Sequence, residues 1–352
     1  MEILKEKIKK TNGEYILLLF TLIGTIIGIV LIFSAFLDRE EKIYDSTTEI
    51  MGLKINQTVY GEGAQKASRA AEKQINTLLS QISWNNDGSQ IQKVNKDSHK
   101  SWVDVSPGVL SILLKALDVA NDTKGAFDPT VLPISMLWSS YFENKKSPSN
   151  EEILKKKLSV GYEDLKINKD VSRVRLFKSD SGIDLTSIST GAACSAALKQ
   201  YQKNGAYAGL ICVGKSVGVF GNRKNSGNFK ITIPHPFYKD NENNNDGFGF
   251  LEIAEGCVCT VDFQQQDVIL DPRTGYPIQS NFTSVTVFHP DGIIANALAV
   301  SCSMLGKEEG FKLLEKYRAD GIFVDNARHV FVSDNFWDKL IITDNNFSII
   351  DW

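Results

Sequence analysis

Apolar positions along this chain recur with two different periods, and the switches between them outline a fold. Over Met51–Tyr60 apolar and polar residues alternate, which predicts a first strand. From Ala64 to Ser83 the spacing becomes helical, with Ala67, Ala70, Ala71, Ile75, Leu78, Leu79 and Ile82 on one broad face. Asn85-Asn-Asp-Gly88 ends that helix. Ser106-Pro107 opens a second helix, through Ala120, because Ser caps well and Pro fits the first turn. Ser149 and Glu152 have capping-box spacing and open a short helix to Leu158. Ile183-Asp-Leu185 reads as a strand leading into a small-residue helix from about Thr190 to Lys203. Ala208–Phe220 and Phe229–Ile233 read as paired strands. From Leu251 the predicted order is strand, loop, strand over Ser284–Phe288, then helices at 295–305 and 307–316 and strands at 321–324 and 328–333. Helices mixed with hairpin-linked strands predict an α+β class. No linker splits the body and no short repeat appears, so the pattern predicts a single domain.

One apolar run has neither period. Tyr15–Leu37 carries no charge over 23 residues. At about 1.5 Å per residue it is long enough for a bilayer core of roughly 30 Å. Lys5, Lys7, Lys9 and Lys10 precede it, whereas Asp38, Arg39, Glu40, Glu41 and Lys42 follow. The cationic side stays cytoplasmic. The expectation is a cytoplasmic N-terminus (1–14), one transmembrane helix (15–37) and an extracytoplasmic domain (38–352) on the cell membrane. A cleaved signal peptide is the rival reading, but its apolar core is usually about 7–15 residues with a small-residue exit. Ser34-Ala35-Phe36 is a poor exit.

Composition adds exclusions. Of the 352 residues, 42% are hydrophobic and 23% charged, with a net charge of −3. This is globular composition with no basic footprint for nucleic acid. Asn241–Asp246 reads as a polar loop tip. Cys194, Cys212, Cys257, Cys259 and Cys302 match no zinc spacing and read as small buried apolar residues. An exported chain can pair cysteines, and the spacing does not say which. Gly209-Leu-Ile-Cys-Val-Gly-Lys-Ser216 has P-loop spacing, but its interior reads as a strand and a strand follows it, so the match is rejected.

Several segments, in order, carry a resemblance. They are Met51-Gly52, Leu79–Asn95, Val105–Leu110, Gly125-Ala-Phe-Asp-Pro-Thr130 on to Leu137-Trp138, Gly161-Tyr-Glu-Asp164 and Ile269-Leu-Asp-Pro-Arg-Thr-Gly-Tyr-Pro277. Over roughly residues 50 to 335 the chain resembles the ApbE family of flavin transferases. That resemblance implies a reaction in which FAD is cut at its pyrophosphate and FMN is placed on a Thr or Ser of a partner flavoprotein, with AMP leaving. Such chemistry needs a metal, a group for the hydroxyl and a flavin pocket. The resemblance implies Met51, Asp128, Thr130, Thr190, Thr260, Asp271 and Thr274 as nucleotide-site positions.

Against the family's pattern, Ser195 replaces an Asp and Val261 a Ser, and four further departures fall on one chemistry. The family Lys is Thr190, its Asp is Asn296, its Thr is Val300 and its His is Val268. Asn296 and Val300 stand where the resemblance places magnesium ligands, and an amide and an isopropyl group cannot form a hard anionic oxygen site. Thr190-Gly191 reads as a helix start with free N–H groups, a weak anion site. Lys215 either restores the missing cation or is a solvated loop residue. The chain's nearest stretch to the family's acceptor motif, Ser189-Thr-Gly-Ala-Ala193, ends without a hydroxyl. The residue chemistry predicts a flavin-binding or complex-docking relative without turnover. An active transferase with a rearranged magnesium site drawn from Asp262, Asp271 and Ser301 is the alternative.

Overall fold

The computed structural model describes residues 21–29, 42–143, 146–223, 227–237, 247–263 and 268–351. The chain divides into two units, Met1–Lys42 and Ile43–Trp352. In the first, residues 21–29 form a helix (α1) whose Leu22, Ile23, Ile26, Ile27 and Ile29 are exposed. The rest of the predicted span Tyr15–Leu37 lies outside the described residues, as does the loop Asn241–Asp246. Among the described residues no helix is long and apolar enough to cross a membrane.

The second unit opens with a hairpin, β1 (Ile43–Ile50) and β2 (Leu53–Tyr60). The single strand predicted from Met51 is corrected here. Met51 and Gly52 are the turn, both at positive φ (52° and 79°), the backbone a two-residue hairpin loop requires. Helix α2 (Ala64–Ile82) buries the face read from its periodicity. After it comes α3 (Gln90–Asp97), capped by Ser89 and absent from the sequence reading. The short strand β3 (Val103–Asp104) precedes α4 (Pro107–Asp122), whose cap is the predicted Ser106. Then follow α5 (Leu132–Glu143) and α6 (Asn150–Lys157), the latter with its full Ser149–Glu152 capping box.

Strands β4 (Leu165–Asn168) and β5 (Arg173–Leu176) form a small sheet with β3. The expected strand at Ile183–Leu185 is not one; nearby Gly182 makes only an isolated bridge to Val131. Helix α7 (Thr186–Lys203) starts four residues earlier than predicted. Next are β6 (Ala208–Val213) and β7 (Ser216–Phe220), a hairpin where the P-loop spacing fell. Strands β8 (Phe229–Ile233) and β9 (Gly249–Ile253) pair with each other in a separate sheet rather than with that hairpin. The chain continues through β10 (Gly256–Asp262), β11 (Phe282–His289) and α8 (Gly292–Tyr317). A break at Gly306 divides α8 into the two predicted pieces. Strands β12 (Asp320–Asp325), β13 (His329–Val332), β14 (Ile341–Ile342) and β15 (Ser348–Ile349) complete the unit.

The main sheet runs β1-β2-β6-β7-β10-β11-β12-β13-β15, with β13 and β15 its parallel pair. Its two faces feed two cores, as the two-residue repeat of a strand dictates. On β10, Cys257 and Cys259 join the core beneath α2, α4, α7 and α8, whereas Val258 joins the core shared with β8 and β9. A third cluster of Ile134, Trp138 and Ile153 packs α5 on α6. All five cysteines are free thiols. Burial pushes those of Cys194, Cys257, Cys259 and Cys302 upward, and that of Cys212 to about 11. They behave as the small apolar residues the sequence predicted.

Candidate functional site

The start of α8 is fixed on three sides. Asp291 caps it, accepting the Ile293 N–H at 2.9 Å and pairing with Lys115 from α4. His289 Nδ1 accepts the Asp291 N–H at 2.9 Å, and Ser195 Oγ of α7 accepts the Gly292 N–H at 2.8 Å. Two glycines allow α7 and α8 to cross backbone to backbone. A Cβ on Gly191 would stand 2.0 Å from the Gly292 carbonyl oxygen and 2.5 Å from Asn296 Oδ1. A Cβ on Gly292 would stand 2.2 Å from the Gly191 oxygen.

That crossing presses Asn296, 5% exposed, into the second turn of α7. Asn296 Oδ1 accepts the Gly191 N–H at 2.6 Å and the Thr190 hydroxyl at 3.1 Å. Ser216 Oγ donates to it at a longer 3.4 Å and lies 2.8 Å from Thr190 Oγ1. The expectation of free N–H groups at Thr190-Gly191 is therefore corrected. The helix begins at Thr186, and the Gly191 N–H is taken by the Asn296 side chain. One turn beyond Asn296, Val300 is buried, and Ser301 is fully buried with its hydroxyl donated to the Ala297 carbonyl at 2.7 Å.

These residues do not fit magnesium. The ion takes oxygen ligands, carboxylates foremost. The position offers one amide oxygen already surrounded by donors and an isopropyl group. Among the described residues no group of three or more His, Cys, Asp or Glu is placed to hold a metal.

The alternative carboxylates lie elsewhere. Asp262 shares the β10 face of Val258 and Thr260, opposite the face of Cys259, and Cys259 is the register partner of Ser216. Asp262 therefore stands across the sheet from Asn296. Its Oδ2 pairs with Lys215 at 2.8 Å and its Oδ1 is buried without a partner among the described residues. Lys215 is partly exposed rather than freely solvated, and its ammonium pairs with this carboxylate. Thr260 Oγ1 bonds Thr286 Oγ1 at 2.8 Å. Among the described residues no hydrogen bond or ion pair joins Asp262, Asp271 and Ser301 to one another.

Asp271 closes its own turn. Its Oδ1 accepts the Arg273 N–H at 2.8 Å and Nε at 3.0 Å, and its Oδ2 accepts Nη2 at 2.9 Å. Thr274 is exposed, its hydroxyl accepting the Tyr276 N–H at 3.3 Å. The turn is seated on α5 and α6: Trp138 Nε1 donates to the Gly275 carbonyl at 2.8 Å, and Tyr276 hydroxyl meets Asn150 at 2.7 Å.

Asp128 plays a similar internal part. Its Oδ1 accepts the Thr130 N–H and hydroxyl, both at 2.7 Å, and its Oδ2 accepts the Tyr162 N–H at 2.9 Å. Thr130 Oγ1 in turn accepts the Gly161 N–H at 2.9 Å. Burial pushes the Asp128 carboxyl from its ordinary 3.8 to about 6, against the lowering by these bonds. Met51, 46% exposed, is at the tip of the first hairpin. Sequence reasoning missed Ser216 and Gly292, and read Ser195 only as a departure from a family Asp. The small-residue run Gly191–Ala197 was the available signal, since such a face permits close helix crossing.

Comparison with known proteins gives a consistent answer. The family model described as "ApbE family" matches residues 51–323. A protein named FAD:protein FMN transferase from Haemophilus influenzae is 22% identical over 335 residues, covering 88% of this chain and 97% of its own length. The Escherichia coli K12 protein of the same name is 26% identical over 288 residues, covering 78% and 81%. Among solved structures, the ApbE protein from Thermotoga maritima superposes with a TM-score of 0.72 at 24% identity, covering 84% of this chain and 98% of that one. The flavin transferase ApbE from Vibrio cholerae gives 0.73 at 19% identity, covering 85% and 100%. At these identities the structures attest the shared fold.

Proposed function

The chain belongs to the ApbE family, and from that premise we propose that it is a membrane-anchored, extracytoplasmic relative of the FAD:protein FMN transferases. In this reading it binds flavin, or docks a flavoprotein complex, without transferring FMN. The relatives' shared name supports flavin as the ligand and a flavoprotein as the partner. One observation carries the loss of turnover: Asn296 and Val300 present no anionic oxygen where a divalent ion would neutralise a pyrophosphate, and the Asn296 oxygen is already engaged by Gly191 and Thr190. Arg273 and Lys215, cations near family motifs, are each paired with an aspartate. Met51, Asp128, Thr130, Thr260, Asp271 and Thr274 are then retained family positions, with Asp128, Thr130, Asp271 and Thr274 bracing loops, whereas Thr190 stands where the family has Lys.

The uncharged run at 15–37 and its cationic N-terminal flank support the anchor, with 1–14 cytoplasmic and 38–352 outside. The test uses the full chain in detergent with FAD, Mg²⁺ and a Thr-containing acceptor peptide. The expected result is no AMP and an unchanged peptide mass. AMP release with an FMN mass gain, abolished by chelation, contradicts the proposal and favours an active transferase.

A further inference from the structure

The Asn296 amide has one orientation that its surroundings accept. The Gly191 N–H can only donate, and it lies 2.6 Å from Oδ1. Turning the amide over would set its NH₂ group against that N–H, donor to donor. The Thr190 hydroxyl, 3.1 Å away, completes the inward side. The oxygen is thus committed to the α7–α8 crossing, and Nδ2 faces the other way. It carries two N–H groups and, among the described residues, donates to no acceptor. The residue is 5% exposed, and Nδ2 is not one of the fully buried atoms left without a partner, so the donor pair keeps a narrow edge open to solvent. Val300, one turn on, offers neither donor nor acceptor beside it.

We propose that Asn296 Nδ2 donates directly to a phosphate oxygen of a flavin nucleotide, so that this chain holds its ligand without a divalent cation. The inference rests on the flavin reading given above. A carboxylate at this position is anionic and meets a phosphate only through an intervening cation. An amide held by its oxygen reverses the polarity: the side facing the ligand becomes a donor, and a donor meets phosphate oxygen directly. The same exchange explains why the second oxygen is absent at Val300, where no ion needs coordinating. The amide is held through its own oxygen, which the Gly191 N–H and the Thr190 hydroxyl both engage.

The test measures equilibrium binding of FAD and of riboflavin to the full chain in detergent, by flavin fluorescence, with EDTA or with Mg²⁺. Riboflavin has the isoalloxazine but no phosphate. The expected result is FAD affinity unaltered by EDTA. In EDTA, Asn296→Asp weakens FAD by about tenfold or more, because a donor is replaced by a like charge. Riboflavin affinity is unaltered by the substitution. A second measurement does not depend on the variant's stability. The side-chain NH₂ resonance pair of Asn296, assigned in the wild-type ¹⁵N spectrum, shifts on FAD addition and not on riboflavin addition. FAD binding that is lost in EDTA, or an Asn296 resonance unmoved by bound FAD, overturns the inference while leaving flavin binding in place. Binding of neither flavin under any condition overturns the flavin reading and this inference together.

Discussion

Gly191 sits where propensity and packing oppose each other. Replacing a mid-helix glycine with alanine gains about 1 kcal/mol of intrinsic helix stability. Here the added Cβ would stand 2.0 Å from a backbone oxygen, which cannot rotate away. Overpacking of this kind costs about 1–3 kcal/mol, so Gly191→Ala lowers the unfolding midpoint in urea despite the better propensity. A midpoint equal to or above that of the wild type would disprove the tight crossing. Asp128 gives a pH signature at the same scale. Its folded carboxyl titrates at about 6 against an ordinary 3.8 because burial disfavours the charge. The group's stabilising contribution is therefore complete below about pH 4 and is lost as pH rises through 6. Relative to Asp128→Asn, wild-type stability falls across that window; parallel pH profiles would show the carboxyl to be ordinary. The identities of Asn296 and Val300 were legible as departures from the family pattern. That the Asn296 oxygen is spent on Gly191 was not, because nothing in sequence says which helices cross.

Among the elements, α6 and the Asp271 turn form a dependent pair. Ser149 caps α6 with both halves of the capping box, and Ile153 of that helix packs in the cluster beneath the turn. Ser149→Ala costs about 1 kcal/mol in global unfolding. Trp138→Phe removes the bond to the buried side of Gly275 and leaves a carbonyl unsatisfied, costing about 1–3 kcal/mol. Hydrogen exchange over Asp271–Tyr276 accelerates in the Trp138→Phe protein; unchanged protection would mean the turn holds itself. Capped helices such as α4 and α6 were readable because their signals are local. Strand facing was less so. Asp262 is one residue out of phase with the chemistry it was offered for, and only the β10 register, with Val258 and Thr260 on its side, places it across the sheet. Likewise α7 begins at Thr186 with Leu185 at its N-cap position, and the side chain that meets its first N–H is Asp184, one residue farther back and read as part of a strand.

At the scale of the whole molecule, the family fold persists around an altered centre. The nine-strand sheet and the helices above it need only apolar periodicity and small residues at crossings, and those the chain retains. Coordination chemistry needs particular oxygens at particular places, and in the proposed reading Asn296 and Val300 do not supply them. The proposed anchor at 15–37 belongs to this scale too. The protein is expected to stay with membranes through alkaline carbonate washing, and protease added to cells stripped of outer layers removes the 38–352 body. Release of an intact chain into the wash would contradict the anchor.

Manganese, a paramagnetic stand-in for magnesium, reports the central claim directly. Electron paramagnetic resonance of Mn²⁺ titrated into the full chain with saturating FAD should match the signal of Mn²⁺ with FAD alone. A protein-dependent loss of the free-ion signal, at one ion per chain, would mean that a metal is ligated here after all.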